Sequence, residues 1–325
     1  MAHRHKLDRL LNTDTMALMD GQSQNRTVGL LVVSREFIKA IRPAQWVKNV
    51  FVFAPLIFGM QLMDTHALAL SFVAFVLFCA ISSAVYLLND LTDRERDARH
   101  PTKRNRPIAS GALSVETARY GLVILFALSC GSAFLINVGL AIVLCAYFML
   151  NVAYSLQLKR YAYLDITCIA GGFLLRVLAG GLAIDVPVSR WLLACTFLLA
   201  SLLALGKRKH ELMAVAQNGK NPGTRDVLAR YRADHIDLVL KVLAAVTLIS
   251  YIAYTVSPVT VRHFGTITLI YTTPFVAFGL WRFFSIVSEH KEAQSPTDTM
   301  IRDLPFVLNV ALWSVLVTAI IYFKF

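Results

Sequence analysis

Nine stretches of this 325-residue chain are apolar for long enough to cross a membrane. A hydrocarbon core of about 30 Å needs about 20 helical residues. The runs fall near 46–64, 66–90, 117–136, 139–157, 164–184, 190–208, 236–257, 263–285 and 304–323. They are continuous rather than alternating, which predicts helices and not the strands of a barrel. With 57% hydrophobic and 16% charged residues, the chain exceeds the apolar share of a soluble domain. An all-α integral membrane protein of about nine transmembrane helices is predicted.

The bases set the orientation, because cytoplasmic connections are enriched in Lys and Arg. Eight lie in the arm up to Lys48, six in 91–116, two at Lys159 and Arg160, seven in 206–235 and three in 282–303. The opposite connections hold Arg190, Arg262 and the near-terminal Lys324. The N-terminus is therefore expected in the cytoplasm and the C-terminus outside. The net charge of +12 becomes largely one cytoplasmic face, suited to anionic head groups or phosphorylated substrates. Bases so close to the bilayer argue against nucleic acid. Cys79, Cys130, Cys145, Cys168 and Cys195 all fall within spans without zinc or disulfide spacing, and read as small packing residues. Residues 1–40 read as a mobile arm with a short interfacial helix, SREFIKAIR, and 41–325 as one transmembrane domain.

Where the second span leaves the membrane the chain reads NDLTDRERDARHPTKRNR. In a continuing helix, Asn89, Asp93 and Asp97 lie four apart, and Asp90 sits three before Asp93. Like charges so spaced repel each other. A hard divalent cation with oxygen ligands, completing its shell on substrate phosphates, would relieve them. The bland alternative is a solvated loop whose acids balance Arg94, Arg96 and Arg99.

Lys103, Arg104 and Arg106 follow, stiffened by Pro101 and Pro107, and suit phosphate oxygens. In RPAQWVKN, Arg42, Gln45 and Asn49 recur at three and four residues beside Lys48, and Trp46 suits an interfacial anchor. A short turn after the fourth span carries Tyr154, Lys159 and Asp165; these suit the second half of a site, a Tyr–Lys interfacial belt, or, for Asp165, a helix cap. A third basic cluster, LALGKRKHEL, ends the sixth span, where the positive-inside bias suffices to explain it. Arg176 lies eleven residues beyond Asp165, roughly 16 Å down the helix, and implies a polar cavity at depth. Gly171, Gly172, Gly180 and Gly181 around it suit close helix packing.

NDLTDRERD fits the pattern NDxxDxxxD, and from about residue 40 onward the chain resembles the UbiA superfamily. That resemblance implies nine intramembrane helices and a transferase whose acidic motif binds Mg²⁺ and a diphosphate. RPAQWVKN, YSLQLK and GFLLRVLAGG are similar to the superfamily's phosphoribosyltransferase branch. A second acidic motif, DxxxD, typical of the prenyltransferases, is represented only by Asp165. The implied reaction moves 5-phosphoribose from phosphoribosyl diphosphate to a polyprenyl phosphate of the decaprenyl type. By the same resemblance Asp90, Asp93 and Asp97 are catalytic, and with Asn89 they hold Mg²⁺. Arg42, Gln45, Lys48, Asn49, Lys103, Arg104, Arg106, Tyr154, Lys159, Asp165 and Arg176 are expected to bind substrate. The alternatives are a prenyltransferase acting on an aromatic acceptor and a membrane transporter. The expected setting is the cytoplasmic (inner) membrane with the site facing the cytoplasm, and a homo-oligomer stays open.

Overall fold

The computed structural model describes residues 33–218, 226–289, 299–300 and 302–324. All regular elements among them are helical. Residues 1–32 of the predicted arm lie outside the described residues; the predicted interfacial helix is present as α1 (33–41). Its Phe37 meets α5 (Val115–Ile136) at Gly121, where a Cβ would lie 2.4 Å from the ring.

Among the described residues eight helices are long and apolar enough to cross a membrane. They belong to α3 (Thr65–Thr92), α5, α6 (Val138–Leu156), α7 (Leu164–Ala183), α8 (Arg190–Asn218), α9 (Ala233–Val256), α11 (Thr273–Glu289, entered through a 3₁₀ turn Thr268–Thr272) and α12 (Leu304–Phe323). Their limits follow local chemistry. Asp64, Ser114, Asn137 and Asp303 each accept a backbone N–H at a helix start, satisfying donors that the first turn leaves without partners.

The first predicted span, 46–64, forms differently. A 3₁₀ helix (Pro43–Phe53) runs into the short α2 (Ala54–Phe58). Eleven 3₁₀ residues at about 2.0 Å each and five α residues at about 1.5 Å cover roughly 30 Å, so this stretched segment matches a hydrocarbon core in length. It packs against α3 and α7. Gly180 permits the approach: a Cβ there would stand 1.9 Å from the Val52 carbonyl oxygen. At Gly181 a Cβ would meet the Val188 side chain at 2.4 Å. Gly171 and Gly172 have ordinary clearance, so only two of the four glycines are needed for packing.

Buried side chains of α3, α5, α6 and α7 form one core around Phe78, Ile81, Leu140 and Leu144. Leu202, Leu205, Ile236 and Phe283 centre a second among α8, α9 and α11. All five cysteines are free.

Candidate active site

At the end of the bundle where the basic connections gather, a cavity of about 950 Å³ opens beside the acidic stripe. The helical register survives the exit from α3. α3 stops at Thr92, and α4 (Arg94–Ala98) begins after Asp93, yet Asp93 N–H donates to Asn89 O at 2.9 Å and Asp97 N–H to Asp93 O at 2.8 Å. The four-residue spacing thus keeps Asn89, Asp93 and Asp97 on one side, and all three line the cavity with Asp90.

Each acidic group meets a protein partner of complementary chemistry. Arg106 Nη1 bridges Asp97 Oδ2 at 2.5 Å and Asp90 Oδ1 at 3.1 Å. Arg42 Nη2 reaches Asp90 Oδ1 at 2.5 Å, and its guanidinium lies 5.1 Å over the Tyr86 ring. Lys159 Nζ pairs with Asp93 at 3.1 Å, while Ser155 donates to Asn89 Oδ1. Asp90 and Asp97 are 2% and 3% exposed, a burial that carboxylates accept only with such partners.

Among the described residues no three acids, histidines or cysteines close into a metal cage. In this arrangement the acids are bridged through arginine and lysine. The donor chemistry fits a hard cation: all the available atoms are oxygens, and buried Asp90 Oδ2 has no hydrogen-bond partner among the described residues.

Arg42, Gln45 and Lys48 line the cavity together, and Asn49 does not. The expected α periodicity grouped Asn49 with Arg42 and Gln45. A 3₁₀ helix repeats every three residues, so Lys48 takes that place and Asn49 turns into the core. There Asn49 is 1% exposed and donates to Ser82 Oγ at 3.2 Å. Trp46 is also held inward, its Nε1 donating to Ser83 Oγ at 3.1 Å. Arg42, just before this helix, has φ 54°, a strained conformation for a residue with a side chain.

Lys103 and Arg106 form part of the lining and Arg104 is exposed outside it. His100 shapes this loop: its Nδ1 accepts from Thr102 N–H at 3.2 Å and Lys103 N–H at 3.4 Å. Burial and the neighbouring Lys103 hold its pKa below the ordinary value, which favours the neutral ring that can accept. Tyr154 and Lys159 also line the cavity, joined by Arg160 and Lys207.

Asp165 and Arg176 do not line the cavity. Asp165 is fully buried and bound to Arg208 at 2.7 Å and Tyr231 at 2.6 Å; Tyr163, not Asp165, is the N-cap of α7. Arg176 is closed off by neutral acceptors, Asn49 Oδ1, Gly172 O and Tyr147 Oη, each within 2.9 Å. The rings of Phe78, Tyr147 and Phe173 lie about its guanidinium at 4.9–5.2 Å. Hydrogen bonds and cation–π contact thus replace the polar cavity expected around this charge.

Sequence reading missed Tyr86, Ser155, Arg160 and Lys207 in the lining. Tyr86 stands one turn before Asp90, and Ser155 and Arg160 adjoin residues already singled out. Lys207 stands in the LALGKRKHEL cluster, where its role is not distinguished by spacing from the positive-inside bias.

A second cavity, of about 570 Å³, lies within the apolar layer between the 3₁₀ helix, α8, α9, α11 and α12. Its lining includes Phe51, Phe53, Trp191, Leu199, Phe283 and Trp313.

The model of the UbiA prenyltransferase family matches residues 52–304. The chain belongs to this family. It is 38% identical over 219 residues to the decaprenyl-phosphate phosphoribosyltransferase of Mycolicibacterium smegmatis, covering 66% of this chain and 68% of that protein. The protein of the same name from Corynebacterium glutamicum is 39% identical over 219 residues, 66% of this chain and 65% of the relative. The aligned stretch spans about two thirds of these relatives. A UbiA homolog from Archaeoglobus fulgidus, solved bound to DMAPP and Mg²⁺, superposes with a TM-score of 0.67 at 19% identity, covering 88% of this chain and 99% of that one. The UbiA fold and the acidic mouth together define an enzyme of the UbiA transferase class.

Proposed function

We propose that this enzyme transfers 5-phosphoribose from phosphoribosyl diphosphate to a polyprenyl phosphate and releases diphosphate. The observation that carries this reading is one helix walling two unlike cavities. Gln45 and Lys48 of Pro43–Phe53 face the charged mouth, and Val50, Phe51 and Phe53 face the apolar cavity. A water-soluble polyphosphate and a lipid tail are accommodated within one helix length of each other. The names of the two actinobacterial relatives support the same substrates.

In this reaction an oxygen of the lipid phosphate forms the bond to C1 of the ribose, and the bond from C1 to the diphosphate oxygen breaks. The attacking phosphate is already anionic, so no strong base is required. Rate enhancement comes from alignment and from stabilising charge as it moves onto the diphosphate. Asn89, Asp90, Asp93 and Asp97 are the residues that would hold Mg²⁺, with the unpartnered Asp90 Oδ2 as an available donor. When bound, the ion neutralises diphosphate charge. Lys48, Lys103, Arg106, Lys159, Arg160 and Lys207 in the lining supply cations for the remaining phosphate groups. Arg42 holds Asp90 in place through their ion pair. The apolar cavity takes the part of the polyprenyl tail next to its phosphate, and the rest lies in the bilayer.

By the positive-inside bias this mouth faces the cytoplasm, where the soluble donor is available. The test is an assay of the purified protein with Mg²⁺, ribose-labelled phosphoribosyl diphosphate and polyprenyl phosphate. Label is expected in the lipid fraction. Absence of that label, with consumption of a prenyl diphosphate and an aromatic acceptor instead, would overturn the reading.

A further inference from the structure

Asp165 has no place in the cavity, yet with Arg208 and Tyr231 it forms the buried centre of a polar network. Its Oδ2 accepts from Arg208 Nε at 2.7 Å, and its Oδ1 from Tyr231 Oη at 2.6 Å and Ile166 N–H at 3.0 Å. Arg208 and Tyr231 are 1% and 5% exposed. The other nitrogens of Arg208 reach Glu211 Oε2 at 2.7 Å and Tyr154 Oη at 3.4 Å. Tyr231 Oη in turn accepts from Tyr163 N–H at 2.9 Å, at a residue held at φ 66°.

These contacts join four pieces of chain. α7 contributes Asp165, the second half of α8 Arg208, the end of α6 Tyr154, and the connection before α9 Tyr231. Just upstream of Tyr231 a 3₁₀ turn, Asp226–Arg230, places Val227 in the wall of the charged cavity. Val227 and Tyr231 pack with Ile166, Leu202 and Leu205, so apolar burial holds the connection down. Burial of that kind is non-directional, whereas a carboxylate shared between a guanidinium and a phenol fixes one register. Two residues of the network's immediate neighbourhood, Tyr154 and Lys207, line the cavity, and Lys207 directly precedes Arg208.

We propose that Asp165, Arg208 and Tyr231 form a latch that seats residues 226–232, just before α9, against the charged cavity and thereby sets how tightly the phosphorylated donor is held. The three are positioning residues: they act through Tyr154, Lys207 and Val227 and touch no substrate. The latch rests on the phosphoribosyl-transfer reading for the identity of its donor, but its mechanical part does not.

Three full-length variants in lipid nanodiscs test it: Tyr231→Phe, Arg208→Lys and Asp165→Asn. Amide hydrogen exchange over 226–232 and the separate KM values for phosphoribosyl diphosphate and polyprenyl phosphate are the readouts. Tyr231→Phe removes one hydroxyl and keeps the apolar packing, so it remains informative if Asp165→Asn fails to fold. It is expected to speed exchange over 226–232 about tenfold, the scale of one hydrogen bond to a charged acceptor. The donor KM should rise severalfold while kcat and the lipid KM stay near wild type. Arg208→Lys keeps the charge but loses the fork that reaches three partners, and should behave like Tyr231→Phe. Unchanged exchange in Tyr231→Phe, wild-type behaviour of Arg208→Lys, or a common shift of both KM values and kcat would each overturn the latch. If the wild-type protein leaves phosphoribosyl diphosphate untouched, the proposed reaction falls, and exchange over 226–232 alone decides the latch.

Discussion

The two cavities treat their polar groups in opposite ways. In the apolar one, four polar side chains are tied off within the protein: Asn309 donates to Phe275 O, Trp313 Nε1 to Tyr251 Oη, Tyr251 shares a hydrogen bond with Thr272, and Thr247 donates to Leu243 O. What remains for a ligand is hydrocarbon. In the charged mouth, ion pairs hold the acids in place but leave capacity unused, most plainly at Asp90 Oδ2. A paired carboxylate has a second oxygen and further lone pairs, so pairing and ligand binding are compatible. One cavity therefore selects by exclusion of polar groups, and the other by charge.

The largest effect expected from breaking this contrast is in the mouth. Asp93→Asn and Asp97→Asn each remove a negative charge while keeping shape, and should lower turnover by about 10²–10³ or more, the scale of a lost electrostatic catalytic group. The protein should remain extractable and monodisperse. Near-normal rates in both variants would sink the assignment of the acidic stripe.

The apolar side should fail differently. Leu199→Trp introduces a bulky side chain into the 570 Å³ cavity. Excluding about two methylenes of tail, at about 0.8 kcal/mol each, gives roughly a tenfold rise in KM for polyprenyl phosphate. The donor KM should not change. Equal rises in both would mean that the two cavities are not separate binding regions.

How much of this division was legible in the sequence depended on the kind of periodicity involved. The spacing of Asn89, Asp93 and Asp97 could be read because the i to i+4 register survives the break at Asp93. The face of RPAQWVKN was misread at Asn49 because nothing in those residues announces a 3₁₀ helix, whose three-residue repeat aligns Arg42, Gln45 and Lys48 instead. Arg176 and Asp165 were taken for ligand groups because a charge near the membrane is costly. Their partners, Tyr147 and Asn49 for one and Arg208 and Tyr231 for the other, come from distant parts of the chain and appear only once the helices pack. The glycines flanking Arg176 were read correctly where the 3₁₀ helix and the chain after α7 press closest, at Gly180 and Gly181.

Gly180 offers a test of the wall that the two cavities share. Gly180→Ala puts a methyl group 1.9 Å from the Val52 carbonyl oxygen, a backbone atom that no rotamer change can move. The expected cost is about 1–3 kcal/mol, as for overpacking in a tight core. It should appear as a lower thermal transition in detergent, with both KM values raised because the displaced helix lines both cavities. A loss of stability with neither KM altered would show that the wall can shift without disturbing either ligand.

The smallest effect is expected at Arg176, where a buried charge has no acid beside it. Arg176→Met keeps much of the side-chain volume and removes the hydrogen bonds to Asn49, Gly172 and Tyr147. An unsatisfied buried acceptor costs about 1–3 kcal/mol, but Gly172 O keeps its place in the helix ladder and the Tyr147 hydroxyl loses only an incoming donor. Relief from burying a cation offsets part of the remainder. The net destabilisation should be about 1 kcal/mol, with kcat and both KM values near wild type. Asn49 lies on the same 3₁₀ helix as Lys48, so a change confined to stability would show that this anchor is not needed for substrate affinity. A tenfold rise in KM for the lipid phosphate alone would instead return Arg176 to the substrate side of the comparison.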